Sequence, residues 1–429
     1  MEVLQVALIL AVFIGGVALM MTKKLPAILA LPCMGVLIAA IAGVPFVLPV
    51  GADPIKDQSI TTYVIASGAT KLMSTISVTI FGAIFAKVVQ KEGISDAIIR
   101  KAAEMAGDKP VAIAIALTAA TAIIFTAMSG AGPVIMVAQI AVPLFLSAGI
   151  EPVVAASLVL LGLNMGLLFN VSQYQLYVDT IGMSMDTITS TSVVMGIVCI
   201  VVTLTYIFVN VRRDAKASTW AMSASTGVKK VSPIALVMPL VPIVLVFFLK
   251  WNAETSLLVT IIVTTLIFGP RDAVQVLSSS VVEGIKDVAG VIGLMIGIGI
   301  LLNGVSATAT SALMQPIISK ILPSNPIVYV LVFTVLSPLA LYRGPLNMYG
   351  LGSGLAKIFA AAGVLSAPAV GMALRSTSVV QCVADPTNTQ NVIVADYASV
   401  DVNDILKSTL PYTMVMALCI LVYAAVVLF

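Results

Sequence analysis

Apolar runs of about 20 residues recur from one end of the chain to the other, each long enough to cross a hydrocarbon core of about 30 Å. Residues 3–20 and 25–48 form the first two, a polar loop follows at 51–59, and 61–89 forms a third. Residues 90–109 change character. Lys91, Glu92, Asp96, Arg100, Lys101 and Glu104 alternate with Ile94, Ile98, Ile99, Ala102 and Ala103, the pattern of a helix lying at a membrane interface. Residues 110–149 are apolar again but broken in the middle by Ser129-Gly130-Ala131-Gly132-Pro133. Glycine and proline punctuate helices, so this run predicts two half-length helices meeting at a tip, a re-entrant hairpin. The run at 152–168 turns polar at Asn164 and again from Asn170 to Gln175, which predicts a broken helix over 152–190. A last span at 193–211 ends on Arg212 and Arg213.

After a hydrophilic stretch at 214–232 the same order returns. Spans are predicted at 233–248, 256–268 and 276–302, and an amphipathic stretch at 306–322. The apolar run 326–363 is broken by Tyr342-Arg343-Gly344-Pro345-Leu346-Asn347, giving a second hairpin. A broken helix over 368–400 turns polar from Asp385 to Asn391, and 410–429 closes the chain. The halves match at a nearly constant offset. Lys71 and Gly82 fall opposite Lys286 and Gly297, Gly132-Pro133 opposite Gly344-Pro345, the cluster after Asn170 opposite that after Asp385, and Asp179 opposite Asp396. One match is chance; several in order argue for an internal repeat. The sequence therefore predicts an all-α polytopic membrane protein made of two inverted repeats, 1–213 and 233–429, joined by a cytoplasmic linker at 214–232. Each repeat holds five transmembrane helices plus one re-entrant hairpin.

An odd number of crossings per half inverts the second half relative to the first. Lysine and arginine collect on the cytoplasmic side of membrane proteins. With residue 1 outside, that side takes Lys23, Lys24, Lys87, Lys91, Arg100, Lys101, Lys109, Arg212, Arg213, Lys216, Lys229, Lys230, Arg271 and Lys407. The outer loops take only Lys56, Lys250 and Lys320. Both termini are expected outside a cell (inner) membrane, with the first hairpin entering from the cytoplasm and the second from outside.

Composition narrows the class. The chain is 60% hydrophobic and 10% charged, against about 25% charged in a soluble domain, and its runs lack the alternation of barrel strands. The net charge of +3 sits in short loops as a topology signal, so no nucleic-acid partner is expected. Cys33, Cys199, Cys382 and Cys419 lie in or beside apolar segments and read as free thiols rather than a disulfide framework or a zinc site. Lys23 and Lys24 follow the first run, whereas a signal peptide carries its charges first, so that run reads as a retained helix. There is no histidine, no GxxxxGK[ST] loop and no catalytic constellation. The expectation is a protein that is not an enzyme and has no cofactor beyond a candidate Na⁺.

The chemistry is expected where the two hairpin tips and two helix breaks meet near the midplane. Freed backbone groups are tolerated in lipid only around a cavity or a bound ion. Half-helix N-termini attract anions, and unwound carbonyls hold Na⁺. The substrate-binding candidates are Ser129, Gly130, Ala131, Asn170, Arg343, Gly344, Asn347, Asn388 and Thr389. The ion-coupling candidates are Asn164, Ser172, Asp385, Thr387 and Asn388, with a candidate Na⁺ site at Asn170, Asp385 and Asn388. Gln173 belongs to the same polar set. The competing reading is hydrogen bonding between helices, which Ser, Thr and Asn commonly provide.

A charge at the tip position of Arg343 costs several kcal/mol unless paired or hydrated. Its guanidinium suits a carboxylate on a substrate or a structural pair with Asp385. Arg375, midway along 368–383, is either a second anion ligand or snorkels to the outer interface. Lys71, Glu283, Lys286 and Asp287 lie near span ends and are expected to snorkel or pair, and Lys357 to sit on the outer part of the second hairpin. Pro386 disfavours helix at Asp385, so the nearby backbone is expected to open its carbonyls to a cation.

The order of elements, with stretches such as Phe81-Gly82-Ala83-Ile84 through Ala106-Gly107-Asp108-Lys109-Pro110, resembles the ion-transporter superfamily. Its members include citrate–metal–proton symporters, gluconate permeases and divalent-anion/sodium symporters. The last carry a Ser-Asn-Thr signature at a hairpin tip and in the broken helix of each half. Here those places read Ser129-Gly130-Ala131, Asn170-Val171-Ser172, Arg343-Gly344-Pro345 and Thr387-Asn388-Thr389, the last being close. The resemblance implies secondary active symport of a small organic carboxylate, such as citrate or a sugar acid, with H⁺ or Na⁺ as the coupling cation. It also implies a homodimer in the bilayer and an elevator motion. The alternatives are a cation/proton antiporter, which wants an acidic pair where only Asp385 stands, and a channel or a membrane subunit of a larger complex.

Overall fold

The computed structural model describes residues 2–48, 51, 53, 57–211 and 231–429. The linker at 214–232 falls mostly outside these residues, as do Lys56, Arg212, Arg213, Lys216, Lys229 and Lys230. The described chain is all helical, with no strand. It opens with α1 (Glu2–Met21) and α2 (Ala27–Ile41), followed by a π-helical turn, Ile60–Ser67, and α3 (Met73–Lys91). The expected third span at 61–89 is thus two pieces, divided by a turn through Thr70, Lys71 and Leu72. The amphipathic segment is α4 (Ile94–Ala106), which buries Ile94, Ile98 and Ile99 along one face.

The first hairpin is α5 (Pro110–Phe125) and α6 (Ala131–Ser147). Its tip turns at Gly130, whose φ of 97° is closed to most side chains. Next come α7 (Pro152–Leu167) and α8 (Val171–Ile181), bent by 59° at their break. Then α9 (Met185–Asn210) starts earlier than the expected span because Ser184 accepts a hydrogen bond from Thr187 N and caps it.

In the second half a 3₁₀ turn, Pro233–Leu240, runs into α10 (Val241–Phe247), and Pro239 and Pro242 deny it a full α-helical ladder. It continues with α11 (Ala253–Phe268), α12 (Ala273–Ser306) and α13 (Thr308–Ile321). The second hairpin is α14 (Pro326–Leu336), a 3₁₀ extension Ser337–Arg343, and α15 (Leu351–Ala361). The chain ends with α16 (Ala367–Ala384), α17 (Thr389–Ala398) and α18 (Val402–Val427). Asp401 caps α18 through Asn403 N, so this helix too begins before the predicted boundary.

The order of elements in the first half recurs in the second. The halves differ in detail: α12 runs unbroken for 34 residues where the first half has a π turn, a break and α3, and 3₁₀ segments precede α10 and follow α14 without counterparts in the first half. Among the described residues six helices are long and apolar enough to cross a membrane, or seven with α7 and α8 taken as one bent span. The expected spans at 25–48, 233–248 and 256–268 are short helices, Ala27–Ile41, Pro233–Phe247 and Ala253–Phe268.

Small residues set the closest packing, as in membrane bundles generally. A Cβ on Gly304 would strike the backbone of Gly35, which locks α2 against α12. Gly162 and Gly166 let α7 lie on the carbonyls of α5. The halves interlock, since α17 packs on α6 and α7 while α15 and α16 pack on α8. This crossing brings hairpin tips and helix breaks from both halves to one place.

Candidate functional site

A cavity of about 530 Å³ lies between the halves. The tip of the first hairpin lines it with Ser129, Gly130 and Ala131. The α7–α8 pair adds Asn164, Ser172, Gln173, Tyr174 and Tyr177. The second hairpin adds Arg343, Asn347 and Tyr349, and the α16–α17 pair adds Arg375, Ser378, Asp385, Thr387, Asn388 and Thr389. Asp287 to Met295 of α12 close one wall. Of the residues selected from sequence, all but Asn170 and Gly344 line it.

Asn170 and Gly344 hold the walls up. Asn170 is buried; its Oδ1 accepts from Ser172 N (3.0 Å) and Ser172 Oγ (2.6 Å), capping α8. Its Nδ2 donates to Phe125 O and Met128 O, both at 3.2 Å, tying the helix break to the first hairpin. Gly344 sits where a Cβ would collide with Leu339 O, in a turn that begins with Tyr342 and Arg343 both left-handed, at φ 55° and 57°. Asn347 holds the same turn by accepting from Tyr349 N at 2.9 Å. Tyr349 OH donates to Gln173 Oε1 at 2.7 Å, a direct bond between the halves.

Asp385 is buried and makes no ion pair with Arg343. Its Oδ1 accepts from Tyr342 N (3.0 Å), Thr387 N (2.9 Å) and Thr387 Oγ1 (2.8 Å). Its Oδ2 is sealed from solvent with no partner. Backbone and a hydroxyl have taken the place the sequence left for a guanidinium, and Arg343 is exposed at the rim. The carbonyls around the break are mostly engaged, against expectation. Gln390 Nε2 donates to Cys382 O, Asn391 Nδ2 to Val383 O, both at 2.9 Å, and Asn388 N to Asp385 O at 3.1 Å. The buried side-chain oxygens left without a partner at the break are Asp385 Oδ2 and Asn391 Oδ1.

Arg375 does not snorkel. It is 4% exposed and lines the cavity. Its guanidinium carbon lies 5.9 Å from the ring centres of both Tyr174 and Tyr177, a cation–π arrangement. Nη1 donates to Thr191 Oγ1 (2.6 Å) and Ile188 O (3.3 Å), and Nη2 donates to Ser192 Oγ. Every one of these acceptors is neutral. Among the described residues no carboxylate pairs with it, and Nε–H and one Nη2–H have no protein acceptor. Those are neighbouring donors of the guanidinium fork, the pair that grips a carboxylate side-on. The sequence placed Arg375 at the middle of a span but could not show its partners, which come from α9 nearly 190 residues away.

Charges on α12 pair with α3, as expected for Glu283 and Asp287. Lys87 meets Asp287 at 2.8 Å and Lys91 meets Glu283 at 2.7 Å. The first of these pairs touches the hairpin tip: a Cβ on Gly132 would lie 2.6 Å from Asp287 Oδ2. Among the described residues, no group of three or more Asp, Glu, His or Cys gathers as for a metal ion.

No protein-family model and no curated protein matches the chain. Solved structures do. The YdaH transporter of Alcanivorax borkumensis aligns with a TM-score of 0.63 at 14% identity, over 93% of this chain and 97% of that one. MtrF of Neisseria gonorrhoeae, from a class of antimetabolite efflux pumps, aligns with a TM-score of 0.60 at 12% identity, over 94% of each chain. At these identities the likeness establishes a fold shared with transporters. It does not reach the citrate, gluconate or divalent-anion carriers that the sequence resembles.

Proposed function

We propose that the chain is a secondary active transporter that carries a small organic carboxylate in symport with a cation. The observation behind this reading is Arg375, a buried guanidinium facing a cavity of about 530 Å³ with only neutral partners. A buried charge costs several kcal/mol unless compensated. Cation–π contact and neutral hydrogen bonds supply part of the compensation, and a substrate carboxylate on the free Nε–H and Nη2–H supplies the rest. The fold shared with YdaH and MtrF supports transport. The coupling cation, H⁺ or Na⁺, is assigned to Asp385 Oδ2, with Thr387 and Asn388 beside it. Homodimer formation and an elevator motion, in a membrane with both termini outside, complete the proposal on the strength of the resemblance in sequence.

A second reading is export. MtrF belongs to a class of efflux pumps, and the same cavity serves an outward-moving anion if the cation exchanges against it. Uptake into proteoliposomes tests both. A panel of mono-, di- and tricarboxylates is presented under separate Na⁺ and H⁺ gradients of either direction. Accumulation of one acid down an inward cation gradient supports symport. Accumulation only against an outward flow of cation favours export. Flux of no acid under any gradient removes the proposal.

A further inference from the structure

Away from the cavity, a second pocket of about 190 Å³ lies where α12 turns into α13 and both meet α15. Val305, Met314, Ile358 and Ala361 make apolar walls, and Ser306, Ser311, Gln315 and Lys357 are its polar lining. Lys357 is half-buried and has no hydrogen bond or ion pair with any described residue. Its burial disfavours the charge first, and a second cation, Lys71 in the turn before α3, adds repulsion. Ser306 Oγ is sealed from solvent and has no partner. Gln315 is anchored by donating to Ala361 O at 3.1 Å.

These groups share one chemistry. A cation without a counter-ion, reinforced by a second cation, faces a hydroxyl that lacks a partner, against apolar walls. A buried hydroxyl left unpaired costs about 1–3 kcal/mol, and two like charges add repulsion; an oxyanion relieves both. The apolar walls favour an oxyanion carried on an apolar body. The site's place fits this, because α13 has the polar and apolar pattern of an interfacial helix and ends on Lys320. Phosphate is the oxyanion that lipid headgroups present at a membrane interface, carried there on an apolar body.

We propose that Lys357 and Ser306 form a phosphate-binding site between α13 and the second hairpin. It takes the phosphate of a lipid headgroup or of a free phosphate ester. An occupied site ties the interfacial helix to α15, one arm of the hairpin that lines the cavity. Lys357 is not a cavity residue, so this site stands or falls separately from the proposed transport.

The test uses the full chain purified in a neutral detergent. Native mass spectrometry and thermal unfolding follow the addition of phosphatidylglycerol, phosphatidylcholine or inorganic phosphate. Loss of one lysine contact at a membrane surface lowers phosphatidylglycerol binding by about fivefold, so Lys357→Ala is expected to do this and Lys357→Arg to restore it. Lys357→Gln replaces the alanine variant if that one folds poorly, and Ser306→Ala is expected to weaken binding less. Displacement of the lipid by inorganic phosphate in the wild type assigns the site to free phosphate, and retention of lipid in excess phosphate assigns it to the headgroup. Equal binding and equal thermal shifts in wild type, Lys357→Ala and Lys357→Gln, with both ligands, overturn the proposal.

Discussion

Replacing Arg375 by lysine separates charge from shape at the centre of the cavity. Lysine keeps the positive charge but has a single point of donors in place of a planar fork. The three hydrogen bonds to α9 cannot all be rebuilt, and the flat contact between Tyr174 and Tyr177 is lost. A charge-assisted hydrogen bond contributes about 1.5–3 kcal/mol. Losing one prong of a two-pronged carboxylate grip therefore weakens substrate binding by roughly 10- to 100-fold, at about 1.4 kcal/mol per tenfold. Arg375→Met removes the charge as well, and truncating one partner of a buried charge pair costs about 2–5 kcal/mol. Stability should behave differently, since replacing buried ionic groups by apolar ones of like volume is often neutral. The assay is equilibrium binding of the transported acid, alongside thermal unfolding. The expected pattern is Kd rising from wild type to lysine to methionine while Tm moves by only a few degrees. The neutral amide of the same substrate should bind all three alike. Wild-type affinity for the acid in Arg375→Met would refute the assignment, as would equal loss for acid and amide.

Arg343 is exposed at the rim, so Arg343→Ala should slow association and increase its salt dependence while leaving dissociation nearly unchanged, as stopped-flow binding at two ionic strengths would show; a raised dissociation rate would place it in the site instead. Asp385→Asn keeps a carbonyl oxygen for the three donors on Oδ1 and replaces Oδ2 and its charge with a neutral NH₂. It should abolish gradient-driven accumulation in proteoliposomes yet leave substrate exchange, and accumulation at the wild-type level under both gradients would exclude Asp385 from coupling. Gly132→Ala brings a Cβ against Asp287 Oδ2 and Lys87 Nζ, the movable ends of two side chains, so it should cost little stability but push the Lys87–Asp287 pair apart; thermal unfolding should then show a smaller loss from Asp287→Ala on the Gly132→Ala background than on the wild type, and strict additivity would deny the contact. Single cysteines replacing Asp57 or Trp251, both exposed, should react with an impermeant reagent from outside and one at Ser218 only from the cytoplasm; outside labelling at Ser218 would refute the inverted layout.

The turn between α5 and α6 and the breaks after α7 and α16 were legible because glycine, proline and asparagine act on the nearest few residues. Ser129-Gly130 turns the first tip through a positive φ, and Asn170 caps α8 in the place its pattern suggested. Boundaries shifted where a short polar cap was read as loop. Ser184 and Asp401 begin α9 and α18 well before the apolar runs that marked those spans. The break at 70–72 was hidden for the opposite reason: its residues lie inside a run apolar enough to pass for one helix.

The site divided along a different line, between what the local sequence controls and what distant elements supply. Position alone made Arg343 prominent, because a charge beside Gly344-Pro345 is unusual in a tip. The side chain's direction depends on two successive left-handed residues, and no hydrophobic period encodes that; the turn carries the guanidinium to the rim and presents Tyr342 N to Asp385 instead. Arg375 was the reverse case. Its own helix shows only a charge among small and apolar residues, compatible with snorkelling or with ligand binding. What decides is Thr191 and Ser192 on α9 and the pair Tyr174 and Tyr177 on α8, brought in by the interlocking of the halves. One local signal was available and passed over. Gln390 and Asn391 each stand eight residues after Cys382 and Val383, across the break, and their side-chain amides return to the carbonyls freed by Pro386. With those carbonyls satisfied from within the cluster, the buried side-chain oxygens at the break without a partner are Asp385 Oδ2 and Asn391 Oδ1, so the proposed coupling draws on a carboxylate and an amide rather than on a ring of backbone oxygens.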